Sequence, residues 1–213
     1  MGRDYLGWFL YADDILLVSP SVSAMQDMIN ICGKVASLLD LTFNVKKSCI
    51  FRVGPRHKLE CSLLTIDKQP LMFVNEMKYL GVTFTSGKNL LPSYEKNKAK
   101  FFRAFNAIYA KAKFSNELVC VFLLKTFCLP ILLYASECFY LNKSQINTLQ
   151  KPVNQALARI FRTYDTVVLN EIKTIFNLNV DRLIENRFNK FSLKYHTKSI
   201  YFSQSVCKFR KFS

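Results

Sequence analysis

Histidine occurs only at His57 and His196, and none of the seven cysteines (Cys32, Cys49, Cys61, Cys120, Cys128, Cys138 and Cys207) stands in a C-x-x-C pair. A structural zinc site needs clustered Cys and His ligands, so none is expected. The cysteine count is odd and most of the thiols lie in apolar runs. Reduced, buried thiols in an intracellular protein, nuclear or cytoplasmic, fit that pattern better than a disulfide framework. No secretory leader is visible, and Leu6 stands where a myristoylation motif needs Ser or Thr. Repeats and low-complexity tracts are absent. An apolar run of membrane-spanning length is missing too. The nearest approach, residues 118–141, is interrupted by Lys125, Pro130 and Glu137, and a central Lys is costly in lipid. That segment reads as a buried helix, and no membrane partner is expected.

Acidic residues are scarce: 15 Asp and Glu face 30 Lys and Arg, a net of +15 over 213 residues. The imbalance is local. Residues 1–92 hold 10 basic and 8 acidic side chains, a net of +2, whereas residues 93–213 hold 20 and 7, a net of +13. A positive excess confined to one region is the footprint of a polyanionic partner, because each neutralised phosphate releases counterions. Hydrophobic residues make up 50% of the chain, with 19 Phe and 10 Tyr among them, which is ample material for a core. The length suits one large domain or two small ones.

Hydrophobic periodicity divides the chain. Residues 6–18 form two apolar runs, LGWFLY and ILLV, around the pair Asp13–Asp14, the pattern of a hairpin. Val22, Met25, Ile29, Cys32, Ala36 and Leu39 recur at spacings of three and four, which predicts a helix over 21–40, with Ser23 and Gln26 read as its capping box. Short β-rich runs (CIFRV, LLTID, LMFV, KYLGVTF) follow up to Phe84, separated by turn residues at Gly54-Pro55 and Gln69-Pro70. The turn-rich segment 85–93 marks a boundary. Beyond it, helices are predicted over 94–113, 116–140 with a bend or break at Pro130, 144–163 with a kink at Pro152, 168–176 and 181–197. The expected fold class is α+β, with residues 1–84 forming an α+β unit and residues 93–213 a basic helical one. In the first predicted basic helix, Lys96, Lys98, Lys100 and Arg103 are the candidate nucleic-acid contacts, with Phe101, Phe102, Phe105, Ile108 and Tyr109 as its apolar side.

Two adjacent carboxylates at a hairpin tip are suited to one kind of chemistry in particular. Phosphoryl transfer to a primer end needs hard oxygen ligands for two Mg²⁺ ions, and strands can fix the backbone while the turn presents both side chains. A bare Asp–Asp turn is ordinarily a solvated turn and nothing more. Here it stands in FLYADDILLV at 9–18, followed by Asn44-Val-Lys-Lys47-Ser48 and by Tyr79-Leu80-Gly81-Val82. These three segments, in this order, resemble the C motif, D motif and primer-grip hairpin of reverse transcriptases. The wording ADDILLVSPS, NVKKS, KYLGV and LPILLYASE (129–137) is most similar to non-LTR, LINE-like retrotransposon enzymes.

The resemblance implies a partial polymerase palm over 1–84, followed by an all-α thumb-like bundle. It implies RNA-directed DNA polymerase ancestry with Mg²⁺ as cofactor, and an RNA template, a DNA primer and their RNA–DNA duplex as partners, with no obligate protein partner. Asp13 would be a metal ligand and catalytic residue, with Asp14 beside it. Tyr11 would line the nucleotide and primer terminus. Lys47 would act as general acid toward departing pyrophosphate, and Leu80 and Gly81 would form the primer grip. The family also carries another metal-binding Asp in an upstream A motif, and a Gly-rich B motif. Only eight residues precede Phe9 here, with Asp4 as their sole acid. The expectation is therefore a truncated fragment, inactive as a polymerase. A non-catalytic nucleic-acid-binding remnant is the alternative, and a basic helical scaffold with no nucleic-acid role the weaker third.

Overall fold

The computed structural model describes residues 7–59 and 61–196, in two compact units that divide between Leu91 and Pro92. The fold is mixed α+β, with small sheets and helix predominating.

Unit 1 opens with the antiparallel hairpin β1 (Trp8–Tyr11) and β2 (Asp14–Leu17), joined by the two-residue turn Ala12–Asp13. Helix α1 (Val22–Leu38) follows. Its cap is Ser21, whose side chain accepts from the Ala24 amide at 3.2 Å, so the expected Ser23–Gln26 capping box does not form. Gln26 instead reaches across to β4 (Thr65–Ile66). Its Nε2 donates to the Thr65 carbonyl at 2.8 Å and its Oε1 accepts from the Thr65 amide at 2.9 Å.

The reason lies in the register of the next hairpin. Strand β4 pairs antiparallel with β5 (Gln69–Pro70), with Ile66 opposite Gln69 and Thr65 opposite Pro70. In a two-residue hairpin the closing pair exchanges hydrogen bonds and the next pair does not, so the backbone groups of Thr65 point outward. Pro70 therefore sacrifices no ladder bond, and the amide of Gln26 takes up both orphan groups of Thr65. The turn itself is Asp67–Lys68, with φ of 47° and 65°, the sign pattern of a type I′ turn. Gln69-Pro70, expected as turn residues, form the second strand.

Strand β3 (Cys49–Phe51) pairs parallel with β6 (Met72–Val74). Strands β7 (Glu76–Tyr79) and β8 (Val82–Thr85) form a hairpin in a sheet of order β7–β8–β9, with β9 (Leu91–Ser93) at the boundary of the unit. The core of unit 1 is small: Ile29, Leu64, Ile66 and Leu71 are buried, with Leu17, Met25, Phe43, Val45 and Ile50 packed around them.

Unit 2 is helical: α2 (Glu95–Ala112), α3 (Glu117–Leu123), α4 (Leu129–Leu132), α5 (Lys143–Phe161), α6 (Thr166–Ile175) and α7 (Val180–His196). Its core is much larger and includes Phe101, Leu124, Leu132, Leu149, Val153 and Leu157, each wholly buried. The single helix expected over 116–140 is subdivided. A π-helical turn, Leu124–Cys128, separates α3 from α4, and Leu129 donates to the Leu124 carbonyl. Pro130 has no amide to give and would clash with the carbonyl four residues back, and a widened turn just before it accommodates both facts. The helix ends before left-handed Ala135 (φ 59°), and a 3₁₀ turn, Ser136–Cys138, follows.

Lys125 is exposed and donates to the Phe176 carbonyl at 3.1 Å, capping the C-terminal end of α6. Arg187 of α7 donates to the Leu133 carbonyl at 2.9 Å and lies 3.7 Å from Glu137. Among the described residues no helix is long and apolar enough to cross a membrane. Helix α5 is continuous across the buried Pro152 and begins with a capping box of Asn142 and Gln145. Thiols are free at the six described cysteines. Cys120 and Cys128 are buried, Cys49 and Cys138 are exposed, and Cys207 lies outside the described residues.

Candidate active-site hairpin and nucleic-acid interface

Asp13 occupies the second position of the β1–β2 turn, and Asp14 opens β2 directly opposite Tyr11. The first turn position, Ala12, has φ 49°. A non-glycine residue in the left-handed region carries about 1 kcal/mol of strain, so the tip is held by its flanking ladder rather than by local preference. That ladder runs from Trp8–Leu17 to Tyr11–Asp14 and is extended by a 2.8 Å bond from the Val18 amide to the Gly7 carbonyl. Tyr11, Asp13 and Asp14 are all exposed, and the hairpin brings these three residues together. Asp4 lies outside the described residues.

Lys47 sits on a different element, the turn after α1. Asn44 organises it: the Asn44 carbonyl accepts from the amides of Lys47 and Ser48, both at 3.0 Å, and its side chain accepts from the Lys47 amide at 3.2 Å. The backbone of Lys47 is thus fixed while its side chain is exposed. Leu80 and Gly81 form the two-residue turn of the β7–β8 hairpin, with φ of 46° and 83°. Gly fits such a turn without penalty, whereas Leu there is strained. Among the described residues no group of three or more His, Cys, Asp or Glu is arranged to hold a metal ion. The carboxylates of the hairpin are a pair, suited to bridging hard cations but short of a full ligand set on their own.

In unit 2 the basic helix α2 separates the four candidate contacts. At 100° per residue, Lys96, Lys100 and Arg103 fall on one stripe, and all three are exposed. Lys98 falls on the opposite side, where Phe101 and Phe105 are buried, and pairs with Glu95 at 2.6 Å with its side chain only 19% exposed.

Sequence reasoning passed over Arg159 on α5. Its Nη1 donates to Asn106 Oδ1 at 2.7 Å, its guanidinium lies 5.1 Å from the centroid of the Tyr109 ring, and the Tyr109 hydroxyl donates to the Arg159 carbonyl at 2.9 Å. Tyr109 in turn stacks on Phe105, with centroids 5.4 Å apart. No local signal marks Arg159, because its partners are 50 and 53 residues away.

Buried titratable groups lie elsewhere in unit 2. Burial pushes the Cys128 thiol up to about 11. Burial, then the neighbouring Cys138 and Glu137, raise the phenol of Tyr94, whose hydroxyl has no hydrogen-bond partner among the described residues.

No protein-family model matches the sequence, and neither a curated protein nor a solved structure matches the chain.

Proposed function

We propose that the chain is part of a retrotransposon reverse transcriptase of the non-LTR kind. In this reading unit 1 carries the metal-binding hairpin of a partial palm, and unit 2 is a basic thumb-like unit that holds the template–primer duplex. The observation that carries the reading is the hairpin: Asp13 in a strained two-residue turn, Asp14 next to it, and Tyr11 across the ladder. Two carboxylates presented this way suit the bridging of Mg²⁺ ions beside a primer terminus. The Asn44-organised turn puts Lys47 on a fixed backbone with a mobile ammonium, as a proton donor to a leaving group requires. In the intact reaction the primer hydroxyl attacks the α-phosphorus of a nucleotide, and pyrophosphate leaves. Asp13 and Asp14 would hold Mg²⁺, and that metal would supply nucleophile activation and charge neutralisation.

A pair of carboxylates without further ligands binds such ions weakly and aligns substrate poorly. The 213-residue polypeptide is therefore read as a nucleic-acid-binding part of the enzyme. A non-catalytic remnant is the second reading, favoured by the concentration of +13 in residues 93–213 against +2 in the rest. The test of the hairpin is Mn²⁺ titration followed by paramagnetic broadening of assigned amide resonances. Broadening centred on Ala12–Asp14 and removed by Asp13→Asn is the expected result. Uniform broadening across unit 1, or broadening that survives Asp13→Asn, would sink the metal-binding assignment.

A further inference from the structure

Helices α2 and α5 lie side by side, joined through Tyr109, Asn106 and Arg159, and they share an unusual charge distribution. Across both helices the only acidic residue is Glu95, whose carboxylate is taken by Lys98. The other acids of unit 2 lie on different elements: Glu117 on α3, Glu137 in the 3₁₀ turn, Asp165 and Glu171 at α6, Asp181 and Glu185 on α7. The surface spanning the α2 stripe and the exposed end of α5 thus draws its charge from basic residues, with Glu95 the sole acid that either helix contributes.

We propose that Arg159 is a phosphate-contacting residue for a nucleic-acid duplex, prepositioned by Asn106 and Tyr109, and that it continues the α2 stripe Lys96–Lys100–Arg103 onto α5. The inference rests on the nucleic-acid reading above and extends it to a named site. Three observations carry it. Arg159 is exposed, yet its guanidinium is already fixed by the 2.7 Å bond to Asn106 and by the Tyr109 ring. Much of the rotamer freedom a free surface arginine forfeits on binding is therefore already lost. Only one of its N–H groups is engaged by Asn106, which leaves others for phosphate oxygens. Arg103 is three residues before Asn106 on the same helix, so it flanks Asn106 on the side of the stripe, while Arg159 bonds to that same side chain.

The same contacts indicate backbone recognition rather than base stacking. The Tyr109 ring already stacks on Phe105 and carries the Arg159 guanidinium, so its π surface is engaged by protein groups rather than reserved for a base. Single-strand binders depend on such faces, whereas duplex binders track phosphates.

The full 213-residue chain is titrated against a fluorescently labelled B-form DNA duplex at salt concentrations between about 50 and 200 mM. Arg159→Gln is expected to flatten the log–log salt slope by about 0.9 and to weaken binding about eightfold at about 0.1 M salt. Arg159→Lys should keep the slope but still weaken binding, since the planar fork and its seat on Tyr109 are lost. Asn106→Ala, which frees the guanidinium without removing its charge, should weaken binding with the slope intact. Lys98→Gln is the control, expected to change affinity less than about twofold.

Should Arg159→Gln fail to fold, Ala110→Glu serves instead. It places a carboxylate on an exposed helical position four residues beyond Asn106 and should weaken binding at least as much. An Arg159→Gln variant with the parent's affinity and slope overturns the inference and leaves the duplex surface on α2 alone, and an Ala110→Glu variant with them takes the duplex off this face altogether. Absence of salt-dependent duplex binding by the parent, with binding to phosphatidylserine vesicles in its place, overturns the nucleic-acid reading itself.

Discussion

Replacing Gln26 with Ala removes one side chain and orphans two backbone groups. The Thr65 carbonyl and amide are bonded to it at 2.8 and 2.9 Å, on the edge of β4 that faces away from β5. A part-buried backbone group left without a partner costs about 1–2 kcal/mol, so the pair is worth about 2–4 kcal/mol. The better helix propensity of Ala offsets a few tenths of that, leaving an expected loss of about 2–3.5 kcal/mol. Among the described residues the buried cluster of unit 1 comprises four side chains, so a loss of that size is a large share of what holds α1 to the β4–β5 hairpin.

Native-state hydrogen exchange reads the effect locally. Amides of Thr65 and Ile66 should exchange about 30- to 400-fold faster, while those of α5 stay unchanged. Gln26→Glu adds a sign test. The carboxylate still accepts from the Thr65 amide but opposes the Thr65 carbonyl, so the neutral acid is the better partner in the folded state. Stability should therefore be recovered as pH falls through the carboxyl titration and lost again as it rises. Protection factors for Thr65 and Ile66 in Gln26→Ala within about 0.5 kcal/mol of the parent's would refute the reasoning.

Changing Lys96, Lys100 and Arg103 together to Gln should flatten the salt dependence of duplex binding by up to about 2.7 in log–log slope and weaken binding to all sequences alike. Equilibrium titration on two unrelated duplexes checks this, and an unchanged slope would remove α2 from the interface. Cys128 provides a pH prediction. Its buried thiol is raised from 9.0 to about 11, so the folded state holds the proton more tightly than the unfolded one. The resulting stability is intact below about pH 9 and falls as pH rises toward about 11, by up to about 2–3 kcal/mol. Urea unfolding across that range should show a smaller loss in Cys128→Ala than in the parent, the remainder coming from other raised groups such as Tyr94 and Cys138. Primer-extension assays on RNA and DNA templates with Mg²⁺ or Mn²⁺ should give no product from the 213-residue polypeptide. Extension that Asp13→Asn abolishes would overturn that expectation.

Local patterns read from the sequence carry much of unit 1 and the helix sequence of unit 2. Alternating apolar runs around Asp13–Asp14 dictate a hairpin because strands need a polar tip to reverse, and the three- and four-residue spacing of Met25, Ile29, Cys32 and Ala36 dictates a helix because only one face meets the core. The finer assignments misjudged competition between neighbours. Ser21 and Ser23 are both good caps, and the choice fell to Ser21 because Gln26, the other half of the expected box, is drawn to Thr65 on a strand 39 residues away. Likewise Gln69-Pro70 has the composition of a turn, but Asp67 and Lys68 adopt the positive φ values that a two-residue hairpin requires.

The sequence by itself determined most of the helices and the N-terminal hairpin, where the positive charge is concentrated, and which carboxylates sit at a hairpin tip, because each is a property of residues near one another along the chain. Only the tertiary structure decided which cations face outward together. Lys98 is turned inward to Glu95 by the helical repeat and the burial of Phe101 and Phe105, and Arg159 becomes a fixed surface group because α5 packs against α2 at Asn106 and Tyr109. Such contacts depend on which helix faces pack together, and the periodicity of either helix alone contains no information about its neighbour.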